Sequence, residues 1–334
     1  MPILSLEDIL AEAELNKLST ELLKSKLDYS SEFGSLALRQ ALVKNLYPKL
    51  DENNFLATTG AAEAIYLVTK SLFSKGDQII VQKPIYQSLF QIAQDAGCTI
   101  IEWQVDLKSN SWDINELKNL LKLNPSVKAL VINNPSNPIG TAFEKTQLEN
   151  IINSLENRLL ISDEVFQPLS LNACPSVCSL YKNAVSICDL SKSFSLPGLR
   201  LGWIACTDKN LLDKFSALKN YLSLRTNTLS EIITSYVLDS CDKILEKNKN
   251  ILRQNINKLF STNKDDLFFK LNIKKEQISG LCIFPKLKEG YLELNTQKLI
   301  EDKSIFLAFG TSFAEEYRDY CRIGLGIMPD FAML

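Results

Sequence analysis

From residue 55 onward the chain alternates two rhythms, and this alternation restricts its fold more than any other feature. Short β-rich runs lie at 55–59, 78–82, 99–104, 129–133, 159–162 and 184–189. Longer amphipathic stretches at 62–73, 86–96, 114–121 and 145–155 follow the first four of them in turn. Strands that alternate with helices in this way predict an α/β architecture, with a mostly parallel sheet wrapped by helices.

The flanking segments have a different pattern. Residues 211–264 are almost entirely helical in periodicity, with helices expected at 213–221 and 230–260, and short strands follow at 279–284, 304–308 and 321–324 with a helix near 296–301. At the other end, Ser5 followed three residues later by Asp8 and then by spaced leucines predicts a capped amphipathic helix over 5–15. We read residues 50–225 as a large domain and residues 1–49 with 226–334 as a second, smaller α+β domain.

Composition narrows the chemistry. The 334 residues contain no histidine, which removes Ser-His-Asp and Cys-His nucleophile activation, His-ligated metals and imidazole proton shuttles together. Acid–base work falls to carboxylates, lysine, tyrosine, cysteine or a bound cofactor, and no metal site is expected. With 37 basic and 39 acidic residues the charge is near balance, so nucleic acid is not an expected partner. Eight cysteines without a C-x-x-C pair read as small buried hydrophobes in a reducing compartment. The acidic N-terminal stretch lacks the features of a signal peptide and no apolar run is long enough to span a bilayer, so a cytoplasmic protein is expected.

The unusual polar and glycine-rich positions fall just after the expected strands, the edge at which an open parallel sheet binds ligands. At 58–64 a strand enters a helix through Gly60, Ala61 and Ala62, small residues that let an anion approach helix N-terminal amides, or that simply make a tight turn. At 133–140 two X-Pro steps give a stiff loop that presents an asparagine side chain at a fixed place, or that is simply a structural turn. Asp163 and Glu164 close an apolar strand, where an acid needs a cation or donor unless it only caps a helix. Lys192 follows the strand at 184–189, and Arg200 lies eight positions later across Pro197 and Gly198. Lysine forms Schiff bases, although an isolated one is most often a surface charge.

Taken in order and spacing, these elements resemble the class I/II aminotransferases, the pyridoxal 5'-phosphate (PLP) enzymes of the aspartate aminotransferase fold (fold type I). The resemblance spans residues 29–324, and its most specific part is the Ser-Lys run followed by Gly-x-Arg-x-Gly. It implies that Lys192 forms the internal aldimine with PLP and carries the proton between substrate and cofactor. It implies that Asp163 pairs with the pyridinium nitrogen, that Asn137 bonds the ring 3-oxygen and that Tyr86 stacks on the ring. Ala61 and Ala62 would give backbone N–H groups to the phosphate, with Arg200 completing that anion site. Arg322 would clamp the substrate α-carboxylate, next to Asn137. Tyr29 and the pair Thr226 and Asn227 match segments that reach the neighbouring site of a homodimer.

Some positions depart from the family pattern. Phe166 stands where most members have a tyrosine, and Asp189 stands where a serine or other small residue often lies. An acid there would repel the phosphate unless it turned away, so Asp189 is expected to have no cofactor role. Only ten residues follow Gly324, so either a more open pocket or a replacement for the family's terminal packing is expected. Phe166 and the runs 221–225 and 280–285 also resemble a branch containing capreomycidine-synthase-type enzymes. The leading function is therefore amino-group transfer between an L-amino acid and a 2-oxo acid. The alternatives are elimination or cyclisation of a hydroxylated amino acid, and a PLP-binding protein without turnover.

Overall fold

Burial with a period of two in the central strands decides the architecture. In β4 (Val127–Asn133), Ala129 and Val131 enter one apolar cluster while Leu130 and Ile132 enter another, so both faces of the sheet are covered. The computed structural model describes residues 1–172, 174–263, 265, 267–289 and 307–327. Its main sheet has seven strands: β1 (Phe55–Thr58), β2 (Gln78–Lys83), β3 (Thr99–Gln104), β4, β5 (Leu159–Asp163), β6 (Ala184–Asp189) and β7 (Gly202–Cys206). Their order is β1-β7-β6-β5-β4-β2-β3, all parallel except β7, which runs antiparallel to both of its neighbours.

Nine helices are described: α1 (Glu12–Lys24), α2 (Leu36–Asn45), α3 (Gly60–Leu72), α4 (Ser88–Asp95), α5 (Ile114–Leu123), α6 (Lys145–Ser154), α7 (Lys209–Lys219), α8 (Thr228–Asp239) and α9 (Cys241–Ser261). One face of the sheet is covered by α3, α4 and α7, through residues such as Ile65, Leu67, Val68, Leu89 and Phe215. Each such fully buried side chain contributes roughly 1.5–3 kcal/mol. The opposite face is covered by α2, α5, α6 and α8. A third cluster joins Leu252, Ile256 and Leu259 of α9 to the C-terminal strands β8 (Phe269–Lys270), β9 (Cys282–Ile283), β10 (Lys286–Leu287), β11 (Ala308–Phe309) and β12 (Cys321–Gly324). Because Ile244 and Leu245 of the same helix lie in the second sheet-facing cluster, α9 links the two parts of the molecule.

Two expectations about elements change. The reciprocal Ser5 and Asp8 bonds close only one turn, and the helix begins at Glu12, where Glu14 reaches back to the Ala11 N–H at 2.8 Å. The single helix expected at 230–260 is two, broken at Ser240, whose φ of −104° and ψ of 12° end α8 and precede α9. The antiparallel β7 and the helix α2 were not anticipated. The helix expected near 296–301, and most of the strand expected at 304–308, lie outside the described residues. Among the described residues no helix is long and apolar enough to cross a membrane.

Candidate active site

The parallel strands place one row of residues at a common edge. Asn133 ends β4 and pairs in register with Asp163 at the end of β5. Asp189, the last residue of β6, pairs with Gly202 of β7, and Gly202 pairs with Thr58 at the end of β1. A cleft of about 500 Å³ opens over this edge. Of the residues singled out in the sequence, Ala61, Ala62, Tyr86, Asn137 and Asp163 line it, as do Lys192, Arg200 and Arg322.

At one end is a cup for an anion. Gly60 turns the chain from β1 into α3 with φ +78°, and a Cβ there would stand 2.8 Å from the Nη2 of Arg200. The guanidinium therefore lies directly over the helix N-terminus, and the positive φ at this position favours glycine. Arg200 is held by a left-handed backbone (φ 48°) and by its Nη1 donating to the Pro197 carbonyl at 3.2 Å.

The floor of the cleft is a buried carboxyl. Asp163 accepts from the Val165 N–H at 3.0 Å, and burial pushes its pKa up to about 7, with the Asp189 carboxylate acting in the same direction. The next residue, Glu164, points to the other face of the sheet. There it accepts from the Val177 N–H at 2.8 Å, and burial lifts it likewise to about 7. Asn133 orders the surrounding loop: its Nδ2 donates to the Asp163 carbonyl at 3.0 Å and its Oδ1 accepts from the Asn137 N–H at 2.6 Å.

Lys192 is exposed to the cleft on a loop fixed from below. Ser193 Oγ donates to the Val165 carbonyl at 2.6 Å, and the amide of Asn248 donates to the Ser193 carbonyl at 2.9 Å. Facing this loop, Arg322 on β12 donates from Nη1 to Asn137 Oδ1 at 3.3 Å, while its Nε is buried with no partner among the described residues. Phe166 also lines the cleft, in the position read from the sequence.

The Asn137 loop meets the C-terminal strands through Gly140. Its carbonyl accepts from the N–H groups of Ser279 and Gly280, each at 2.8 Å. A Cβ at Gly140 would fall 1.8 Å from the Cys282 carbonyl oxygen, and φ is +87°. Gly140→Ala is therefore expected to destabilise the protein by roughly 4 kcal/mol, since backbone strain and overpacking add. Gly198→Ala, where the added carbon meets nothing within 4 Å, is expected to stay within about 1 kcal/mol. Urea unfolding of the two variants checks the contrast.

Two residues, Met1 and Glu231, escaped the sequence reading, and a third, Asp189, does not take its expected direction. Asp189 does not turn away: its Oδ2 accepts from the Ala61 N–H at 3.1 Å and from Ser191 Oγ at 2.9 Å, and its Oδ1 accepts from the Ser191 N–H at 2.8 Å. Its strand-final position puts it on the cleft side, and these three donors hold a carboxylate there. Met1 also lines the cleft, and nothing in the sequence signals it. Glu231 is fully buried and accepts from Thr226 Oγ1, from Ser30 Oγ at 2.7 Å and from the Ser35 N–H at 2.6 Å. It thereby joins the loop of Tyr29 to that of Thr226 and Asn227. Tyr29 is exposed and does not line this chain's own cleft, and Asn227 caps α8.

The comparisons with known proteins point to one family. The profile of the family described as aminotransferase class I and II matches residues 8–330. A PLP-dependent aminotransferase from Streptococcus suis is 25% identical and superposes with a TM-score of 0.86, covering 99% of this chain and 89% of its own. A probable aspartate aminotransferase of Methanocaldococcus jannaschii is 24% identical over 312 residues, 90% of this chain and 81% of the relative. The PLP-dependent cyclase OrfR shares the fold at a TM-score of 0.83 and 24% identity, over 95% of this chain and 86% of that one. The chain belongs to the class I and II aminotransferase family and is a PLP-dependent enzyme of its fold.

Proposed function

We propose that this enzyme moves an amino group between an L-amino acid and a 2-oxo acid, with Lys192 as the lysine that binds the cofactor carbonyl and carries the proton. One observation carries the reading. A single cleft holds an anion cup at Gly60, Ala61, Ala62 and Arg200, a buried carboxyl at Asp163, an accessible lysine and an arginine with an unused donor.

The residues fit the cofactor. A protonated pyridine nitrogen supplies the cation that a carboxyl with a pKa near 7 lacks, and Arg200 over the start of α3 suits a phosphate. The orphaned Nε of Arg322, beside its Nη1, suits one carboxylate held at two points. When bound, PLP supplies the electron sink that lets a bond at the substrate α-carbon break.

The side chains then divide the work. Lys192 takes the proton from the α-carbon and returns it, Asp163 holds the proton on the ring nitrogen, and Asn137 bonds the ring 3-oxygen. Tyr86 covers the ring, and Arg322 orients the α-carboxylate. A homodimer, with Tyr29, Thr226 and Asn227 of each chain reaching the other's site, belongs to the same proposal. It is supported by the joining of those loops at Glu231 and by the exposure of Tyr29, Tyr221 and Leu222. The two-domain division at 50–225 against 1–49 with 226–334 is likewise proposed, supported in its C-terminal part by the separate apolar cluster there. A cytoplasmic location is supported by the eight cysteines, all free and buried.

The test uses ¹⁵N-labelled amino acids with 2-oxoglutarate. Label is expected in glutamate only when both partners are present. Release of labelled ammonia without an oxo acid would instead favour elimination or cyclisation, the reading that Phe166 in the cleft wall supports.

A further inference from the structure

The anion cup already contains an anion. Asp189 is buried, and its carboxylate takes the Ala61 N–H at the start of α3 together with the N–H and hydroxyl of Ser191. These are the donors that an incoming phosphate needs. The side chain has little freedom to leave, because its backbone is the last residue of β6, paired with Gly202, and Ser191 bonds both of its oxygens.

The charges around Asp189 do not cancel a second anion. Asp163 at the end of β5 feels Asp189 as a like charge, as does the Cys188 thiol on its own strand. On the cationic side, Lys192, Arg200 and the terminal amine of Met1 line the same cleft. Of these, Lys192 is committed to the cofactor carbonyl, and Arg200 stands over Gly60. On α3, Glu63 is turned back to the Thr59 N–H at 2.5 Å. A doubly charged phosphate beside an ionised Asp189 would thus bring three negative charges against one guanidinium.

We propose that Asp189 and the cofactor phosphate share one proton. Binding takes that proton from solvent and places it between Asp189 Oδ2 and a phosphate oxygen, so the affinity for the phosphorylated cofactor falls as pH rises. The proposal rests on the cofactor reading above and makes Asp189 a residue that sets when the enzyme loads.

The probe is pyridoxine 5'-phosphate, which keeps ring and phosphate but has no aldehyde, and every protein compared carries Lys192→Ala so that no free lysine ammonium adds to the cationic side. Its affinity for the apoprotein is measured by calorimetry near pH 6 and near pH 8 for this parent and for Asp189→Asn and Asp189→Ser made in it. At pH 8 the asparagine variant, which mimics the protonated acid, is expected to bind about tenfold more tightly than the parent, and near pH 6 the two should converge. The ³¹P resonance of the bound probe in the parent should keep the monoanion position near pH 7.5, and in both variants should move to that of the dianion. Equal affinities at both pH values, weaker binding by both variants at pH 8, or a dianion signal in the parent would each overturn the proposal while leaving the cofactor reading in place. Failure of all three proteins to bind the probe would overturn both.

Discussion

Lys192→Ala is expected to abolish amino-group transfer, with a loss on the order of 10⁴-fold or more, and to leave the fold intact. The size follows from chemistry: a positioned general acid–base typically contributes about 10²–10⁴, and this substitution also removes the covalent tether. The intact fold follows from structure. The lysine is exposed to the cleft, while its neighbours Leu190 and Ser193 are buried and the loop is fixed by bonds from Ser193 and Asn248. Removing its side chain leaves no core cavity and no unpaired buried group. Borohydride trapping followed by peptide mass mapping should attach the cofactor to Lys192 in the wild type and to no lysine in the variant. Retained transfer, or trapping at another lysine, would overturn the assignment. The thermal midpoint of the apoprotein should hardly move, since surface substitutions usually stay within about 0.5 kcal/mol.

The parallel core was legible because each strand is a short apolar run followed by polar or small residues. Strands at Thr99–Gln104 and Ala184–Asp189 have the limits expected from the sequence. The same property exposed the cleft residues: when function sits at strand ends, an acid or lysine that closes an apolar run marks the site. Other features depend on relations the sequence does not display. The apolar residues of β7 lie directly behind the Gly-x-Arg-x-Gly run, so its strand character was hidden within a motif read for its charge. Asp189 gave a residue type, but its direction depends on where the start of α3 and Ser191 place their N–H groups. Glu231 sits in a helix as one acid among many, and only tertiary packing brings Ser30, Ser35 and Thr226 around it.

Asp163→Asn is expected to change activity and stability in opposite directions. Activity should fall about 10²–10³-fold, because breaking a buried ion pair costs about 3–5 kcal/mol and here the pair keeps the ring nitrogen protonated. The apoprotein should instead become more stable at alkaline pH. In the folded chain burial lifts the Asp163 carboxyl from 3.8 to about 7, so between those values the folded state holds a proton that the unfolded state has released. Stability therefore declines as pH rises through this window and levels off above the folded pKa, for a total of roughly 4 kcal/mol. The amide does not titrate and carries no such loss. Urea unfolding of apo wild type and variant should show the variant's advantage growing by roughly 3 kcal/mol from pH 5 to pH 8. Glu164, lifted to about 7 by its own burial, is common to both proteins and drops out of the difference. An advantage independent of pH would mean that Asp163 is ionised in the apoprotein, which would remove its unmet need for a cation from the case for a pyridinium partner.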